Sequence, residues 1–189
     1  MRNLFSFTMI FLFGTGLLFA QAEQSGGDEL SRKELREQRK EQKLQEHKEN
    51  LDFMEKIAEE RSWVIEAHTI YNKYGNSFQM DPTINFVSLF EDESIIQIGL
   101  NGYIGYNGVG GVTFDGKVRS YDVTREENSI LIRFTALGAV MGPVDLVAHI
   151  YSDGYGRITV SGSWGRRLTF AGYFVPYDIS RTYTGTPFF

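Results

Sequence analysis

From Trp63 almost to its end, the chain repeats with a period of two. Alternation of apolar and polar side chains marks strands that turn one face to an interior and the other to water. The spacing predicts strands over residues 63–71, 77–80, 85–90, 95–100, 112–114, 117–124, 129–137, 144–151, 157–163 and 167–174. Ile130, Ile132, Phe134 and Ala136 share one face, as do Leu146, Ala148 and Ile150, and then Leu168, Phe170 and Phe174. Between the runs sit residues suited to reversing the chain: Lys73-Tyr74-Gly75-Asn76, Glu91-Asp92-Glu93, Asp115-Gly116, Glu126-Glu127-Asn128, Met141-Gly142-Pro143, Asp153-Gly154 and Trp164-Gly165. A two-stranded ribbon could not bury so many apolar faces. The fold class expected is therefore mainly β, an antiparallel meander closed as a barrel or folded as a two-sheet sandwich. The tail from Pro176 lacks alternation and is expected to lie along the surface.

One interruption stands out. Glycine occupies every third position from Gly99 through Gly102, Gly105, Gly108 and Gly111, with Gly110 extra. Glycine accepts positive φ and lets other groups approach the backbone, so this stretch reads as a long connection with an unusual path. It also carries Asn101, Tyr103, Tyr106 and Asn107, the rigid amphipathic and adaptable polar chemistry common in recognition loops. These four are the candidate ligand-binding residues. The alternative is structural, with Tyr103, Ile104 and Tyr106 folded inward as a plug.

The N-terminal part is different. Residues 1–22 begin with Arg2, pass through an apolar run and finish at Ala20-Gln21-Ala22, the pattern of a cleavable signal peptide. A retained anchor is the other reading, since residues 4–20 nearly suffice to span a bilayer. Cleavage would leave no transmembrane segment and would address the protein to the periplasm or the exterior. Residues 23–61 form a polar spacer and a charged helix. Ser31-Arg32-Lys33-Glu34 reads as a capping box that starts the helix, and Leu44, Leu51, Met54 and Ala58 offer an apolar stripe for docking. Residues 62–189 form the β-domain, and the chain of 189 residues suits one sizeable core.

The excess of 24 acidic over 19 basic residues gives a net charge of −5 and disfavours nucleic acid as a partner. Cysteine is absent, which excludes disulfides, thiolate chemistry and the lipid-attachment cysteine of a lipoprotein.

Catalytic motifs are hard to find. Gly111 to Val118 follows the phosphate-loop spacing, but Val118 replaces the magnesium-binding hydroxyl, and Asp115-Gly116 reads as a hairpin turn. Glu91-Asp92-Glu93 lacks the spaced donors of a calcium loop and reads as a charged hairpin tip. His47 lies in the charged helix and is expected to be solvated. Glu66 with His68, and Asp145 with His149, alternate onto common strand faces, so a metal-dependent or hydrolytic site could assemble from them, with Ser161 or Ser163 as nucleophile. Nothing in the sequence aligns them, and outward-facing polar positions are the better account.

Several of these runs together resemble a known family. Trp63-Val64-Ile65-Glu66-Ala67, Asn85-Phe86-Val87, Ile96-Gln97-Ile98-Gly99, Gly105-Tyr106-Asn107-Gly108-Val109-Gly110-Gly111-Val112-Thr113, Gly162-Ser163-Trp164-Gly165 and Leu168-Thr169-Phe170-Ala171-Gly172 are similar to the domain-of-unknown-function 4251 (DUF4251) family of exported Bacteroidota proteins. The resemblance covers about Arg61 to the C-terminus. It implies a predominantly β secreted domain with no established activity, and it carries over no catalytic residues.

The expectation is a noncatalytic exported β-domain, without cofactor or metal, that binds a small or extended ligand or an envelope partner near residues 99–111. The alternative is a hydrolase or metal-dependent enzyme using Glu66, His68, Asp145 and His149. A third reading makes the charged helix the working surface.

Overall fold

The computed structural model describes residues 24–100, 102, 105, 107–139, 142–162, 165 and 167–186. The sequence-predicted signal peptide, together with Asn101, Tyr103, Ile104, Tyr106 and Ser163, lies outside them. The element order is α1 (Gln24–Glu59), β1 (Ser62–Asn72), β2 (Ser77–Gln79), β3 (Phe86–Phe90), β4 (Glu93–Ile98), β5 (Val112–Arg125), β6 (Ser129–Gly138), β7 (Gly142–Tyr151), β8 (Tyr155–Gly162) and β9 (Arg167–Pro176), followed by a 3-10 turn at Tyr177–Ile179.

Two compact units divide after Gln42. In the first, residues 24–42 are helical, and residues 31–42 are exposed throughout. The helix already runs at Gln24, upstream of Ser31. Good helix formers such as Glu29 and Leu30 carry it upstream, across Gly26-Gly27, at a cost of about 1 kcal/mol per glycine relative to alanine. Ser31 is therefore interior to α1 and not its cap.

In the second unit every neighbouring strand pair is antiparallel, and β9 pairs with β1 to close an eight-stranded barrel in the order β1-β3-β4-β5-β6-β7-β8-β9. The short β2 adds to the far end of β1, beyond the five residues that pair with β3. Of the two expected topologies the barrel is the one formed. Its interior is filled by Trp63, Ile65, Val87, Ile96, Phe114, Ile132, Phe134, Leu146, Ile158, Val160, Phe170 and their apolar neighbours. Trp63 meets Phe134 edge-on at 5.8 Å and Phe174 at 5.4 Å.

The longest strand departs from the sequence reading. Residues 112–125 form one strand, with Asp115-Gly116 inside it rather than at a hairpin. Packing overrides the Asp-Gly turn signal here, because the Phe114 ring lies across Gly116 and Gly138 where any side chain would collide: a Cβ at Gly138 would sit 2.4 Å from that ring. The strand changes neighbours along its length. Val112 to Lys117 pair with β4, Lys117 to Arg125 pair with β6, and a bulge at Arg119 follows the handover.

One end of the barrel is sealed by α1 beyond Lys43. Leu51, Ile57 and Ala58 are buried there with Met54 half-buried, whereas Leu44 of the expected stripe is 71% exposed. Leu44 precedes the docked turns, and Ile57 completes the buried face in its place. The Tyr121 hydroxyl donates to the Ala58 carbonyl and accepts from Trp63 Nε1–H at 3.1 Å. Burial pushes the Tyr121 phenol up to about 12, against smaller opposing effects of the Trp63 hydrogen bond and the Arg61 charge. The Arg61 guanidinium lies 4.7 Å from that ring and binds Asp92 at 2.9 Å. Arg125 reaches Asp52 and Glu55, each at 2.6 Å.

His47 also belongs to this docked face. It is half-buried rather than solvated, with Nδ1 2.7 Å from the Ser152 hydroxyl and Nε2 buried without a partner. Four residues before Leu51, it shares the helical side that meets the barrel.

Candidate functional site

The opposite end of the barrel carries the connection of residues 99–111, whose described residues are held by amides and backbone groups at the outer face of β4 and β5. β4 presents Gln97 outward in the run Ile95-Ile96-Gln97-Ile98, yet Gln97 is 0% exposed because the tail beyond Ser180 lies over it. Its amide donates to the carbonyls of Ile84 at 3.1 Å and Tyr183 at 2.8 Å. Its oxygen accepts from the Gly185 N–H at 2.7 Å and the Thr113 hydroxyl at 3.1 Å. All four positions of this carboxamide are therefore used.

Asn107 is 5% exposed and continues the network. Its Nδ2 donates to the Gly111 carbonyl at 3.1 Å and to Thr113 Oγ1 at 3.4 Å, while Oδ1 accepts from the Val109 N–H at 3.3 Å. Its own carbonyl accepts from the Thr186 N–H at 2.9 Å. The descending limb of the connection is thus pinned to β5 and to the tail. Asn85 pins the ascending limb, accepting from the Gly99 N–H at 3.0 Å and donating to the Asp81 carbonyl at 2.9 Å. The Asp81 carboxylate accepts from the Thr83 hydroxyl at 2.7 Å and the Thr83 N–H at 3.0 Å, which together hold its pKa below the usual carboxylate value. The two limbs join through Leu100 N–H and the Val109 carbonyl at 2.9 Å. Gly111 is required at this junction, since a Cβ there would sit 1.8 Å from the Ile98 carbonyl oxygen.

Of the four sequence-predicted ligand-binding residues, Asn107 is the one described. Its amide serves the loop's own backbone. Asn101, Tyr103 and Tyr106 lie outside the described residues. Leu100 and Tyr183, both exposed, flank the connection. Gln97, Thr113, Asn85 and the tail backbone escaped the sequence reading, and the signal for them was a lone amide in the middle of an apolar strand.

The alternative catalytic set is not brought together. Glu66 accepts from the Ser180 hydroxyl at 2.8 Å and the Arg181 N–H at 3.1 Å, so it tethers the tail. His68 sits at the β1 bulge, edge-on to Tyr173 at 5.4 Å. Asp145 accepts from the Thr135 hydroxyl at 2.8 Å, and His149 is exposed opposite Arg157. β9 and β8 intervene between β1 and β7. Three strand spacings separate the two histidine-bearing strands, about 14 Å along the sheet, far beyond what bonds of about 2 Å to one metal could bridge. Ser161 lies across from Asp145, with neither histidine at that level. Among the described residues no cluster of three or more His, Asp or Glu could hold a metal ion. Glu91-Asp92 forms the two-residue turn between β3 and β4, with Asp92 engaged by Arg61.

On the outer wall, two grooves of about 640 and 600 Å³ meet at Glu93, Lys117 and Arg119, where β5 exchanges neighbours. They carry charges of both signs. Among the described residues no helix is long and apolar enough to cross a membrane.

Comparison with known proteins adds the following. The family model described as "Domain of unknown function (DUF4251)" matches residues 45–174. A crystal structure of a DUF4251 family protein from Bacteroides eggerthii DSM 20697 is similar at 22% sequence identity with a TM-score of 0.58, covering 69% of this chain and 90% of that one. That likeness extends to the fold. Curated proteins yield no match.

Proposed function

We propose that this chain, which belongs to the DUF4251 family, is a noncatalytic exported protein whose barrel captures a small or extended ligand, or an envelope partner, at the end bearing residues 101–111. The observation that carries this reading is the hydrogen-bond network of Gln97, Asn107 and Asn85, which braces both limbs of the connection against the barrel wall and the tail. A loop held at its base by satisfied buried amides presents its remaining residues without a large ordering cost on binding. The filled interior supports the same reading, because apolar side chains occupy the space where many barrels hold a ligand, which directs recognition to the exterior. Asn101, Tyr103 and Tyr106 supply the contact chemistry by composition. Export rests on the apolar N-terminal run and its Ala20-Gln21-Ala22 end, and places the protein in the periplasm or outside the cell.

The test is the double variant Tyr103→Ala/Tyr106→Ala, followed by partner recovery from envelope extracts and by thermal melting. Loss of capture with the melting temperature nearly unchanged is the expected result. Strong destabilisation would identify the two tyrosines as a plug and overturn the assignment. Sequencing the N-terminus of the processed protein from a periplasmic fraction tests export separately, with Glu23 expected as its first residue.

A further inference from the structure

Residues 31–42 are exposed throughout and carry five basic side chains, Arg32, Lys33, Arg36, Arg39 and Lys40, against three acidic ones, Glu34, Glu37 and Glu41. At about 100° per residue, the five bases fall within an arc of about 120°, and the three acids within about 60° of the remaining circumference. Lys33 and Glu37 stand at i,i+4 and Glu37 and Lys40 at i,i+3, but within residues 31–42 the middle of the basic arc has no such opposite-sign neighbour. Arg36 has Arg32 and Lys40 four residues away and Lys33 and Arg39 three away, so four like charges surround it, an arrangement that weakens an isolated helix. Among the described residues Lys33, Arg36, Arg39 and Lys40 enter no ion pair, whereas further down α1 Lys56 pairs with Glu60 at 3.8 Å. The patch is basic on a chain whose net charge is −5.

We propose that this face is a docking surface for an anionic lipid bilayer. A flat negative surface engages the whole arc at once while the acidic side turns away from it, and no register with a shaped partner is needed. Leu35 lies outside the basic arc and the arc has no apolar member, so attachment is by charge at the headgroups and not by insertion.

The experiment uses the full chain with vesicles of phosphatidylcholine alone and of phosphatidylcholine mixed with phosphatidylglycerol, read by co-sedimentation at low and high salt. The proposal expects preference for the anionic vesicles, reversal by salt, and a loss of about a hundredfold in Arg36→Gln/Arg39→Gln/Lys40→Gln, since each charge near such a surface is worth about fivefold. The counter-variant Glu34→Gln/Glu37→Gln/Glu41→Gln, on the other side of the same helix, should bind at least as well as the parent. Circular dichroism checks that both variants keep their helix content. Equal binding to both vesicle types, or an unaffected basic-face variant, overturns the proposal. Self-association that both variants abolish also overturns it, and assigns the face to a second copy of the chain. Charge-dependent binding to an acidic protein or to nucleic acid without vesicle binding overturns it equally.

Discussion

The helix end of the barrel and the base of the 99–111 connection are held by opposite chemistry. At one, α1 drives Leu51, Ile57 and Ala58 onto Trp63 and its aromatic neighbours, and a tyrosine hydroxyl ties the helix carbonyl to the tryptophan N–H. At the other, Gln97, Asn107, Thr113 and Asn85 bind loop and tail backbone through hydrogen bonds. Apolar closure is non-directional and tolerates some sliding, whereas an amide network fixes atoms at set angles and distances. The difference teaches why the two ends are suited to different work: the first contributes stability, and the second holds an irregular backbone in one shape.

Variants can break this contrast. The largest effect is expected for Trp63→Ala, which empties the centre of the apolar closure and should cost about 4 kcal/mol in denaturant unfolding; a loss below about 1 kcal/mol would mean the helix end is not the main stabilising closure. Gln97→Ala comes next, at about 3 kcal/mol, because two carbonyls, one N–H and one hydroxyl lose their partner in a buried place. Here hydrogen exchange should rise at Gly185 and around residues 107–111 while β6 to β8 stay protected. Uniform exposure would show that the loop end and the barrel unfold together.

Tyr121→Phe sharpens the helix end further, at about 2 kcal/mol near neutral pH, because the Ala58 carbonyl and the Trp63 N–H are left unpaired. It also has a pH signature. The phenol's pKa is raised on folding from about 10 to about 12, so its contribution is fully present below pH 10 and is lost as pH rises toward 12. The parent should lose about 2 kcal/mol across that interval relative to Tyr121→Phe, measured by alkaline unfolding. At the small end, Leu44→Ser should change stability by less than about 0.5 kcal/mol, since the side chain is exposed.

Much of the first end was legible in the chain. Alternation located the strands because each has one buried face, and Leu51, Met54 and Ala58 were visible at helical spacing. Asp115-Gly116 misled because a local turn preference is worth less than the packing of Phe114 over two glycines. The helix start misled for a similar reason: a capping box offers a stop, but it does not forbid helix on its other side. The second end was mostly illegible. Its order comes from side-chain amides meeting backbone groups more than eighty residues away, as Gln97 meets Tyr183 and Gly185, and no periodicity records such a pairing. What the sequence did disclose there was Gly99 to Gly111, a tolerance for close approach, without naming what approaches.

The strand of residues 112–125 has a consequence for how the ring survives change. Because it faces β4 along its first half and β6 along its second, with one surplus residue beside the handover, the circle is joined through a splice and not through a full-length seam. Deleting Arg119 would remove that surplus and let Val118, Ser120 and Tyr121 pair in turn with Ala136, Thr135 and Phe134, so that Tyr121 and Val123 would keep facing the interior. The ring would lose a kink and keep its closure, so a missing codon at this splice is a change of length that the circle can absorb.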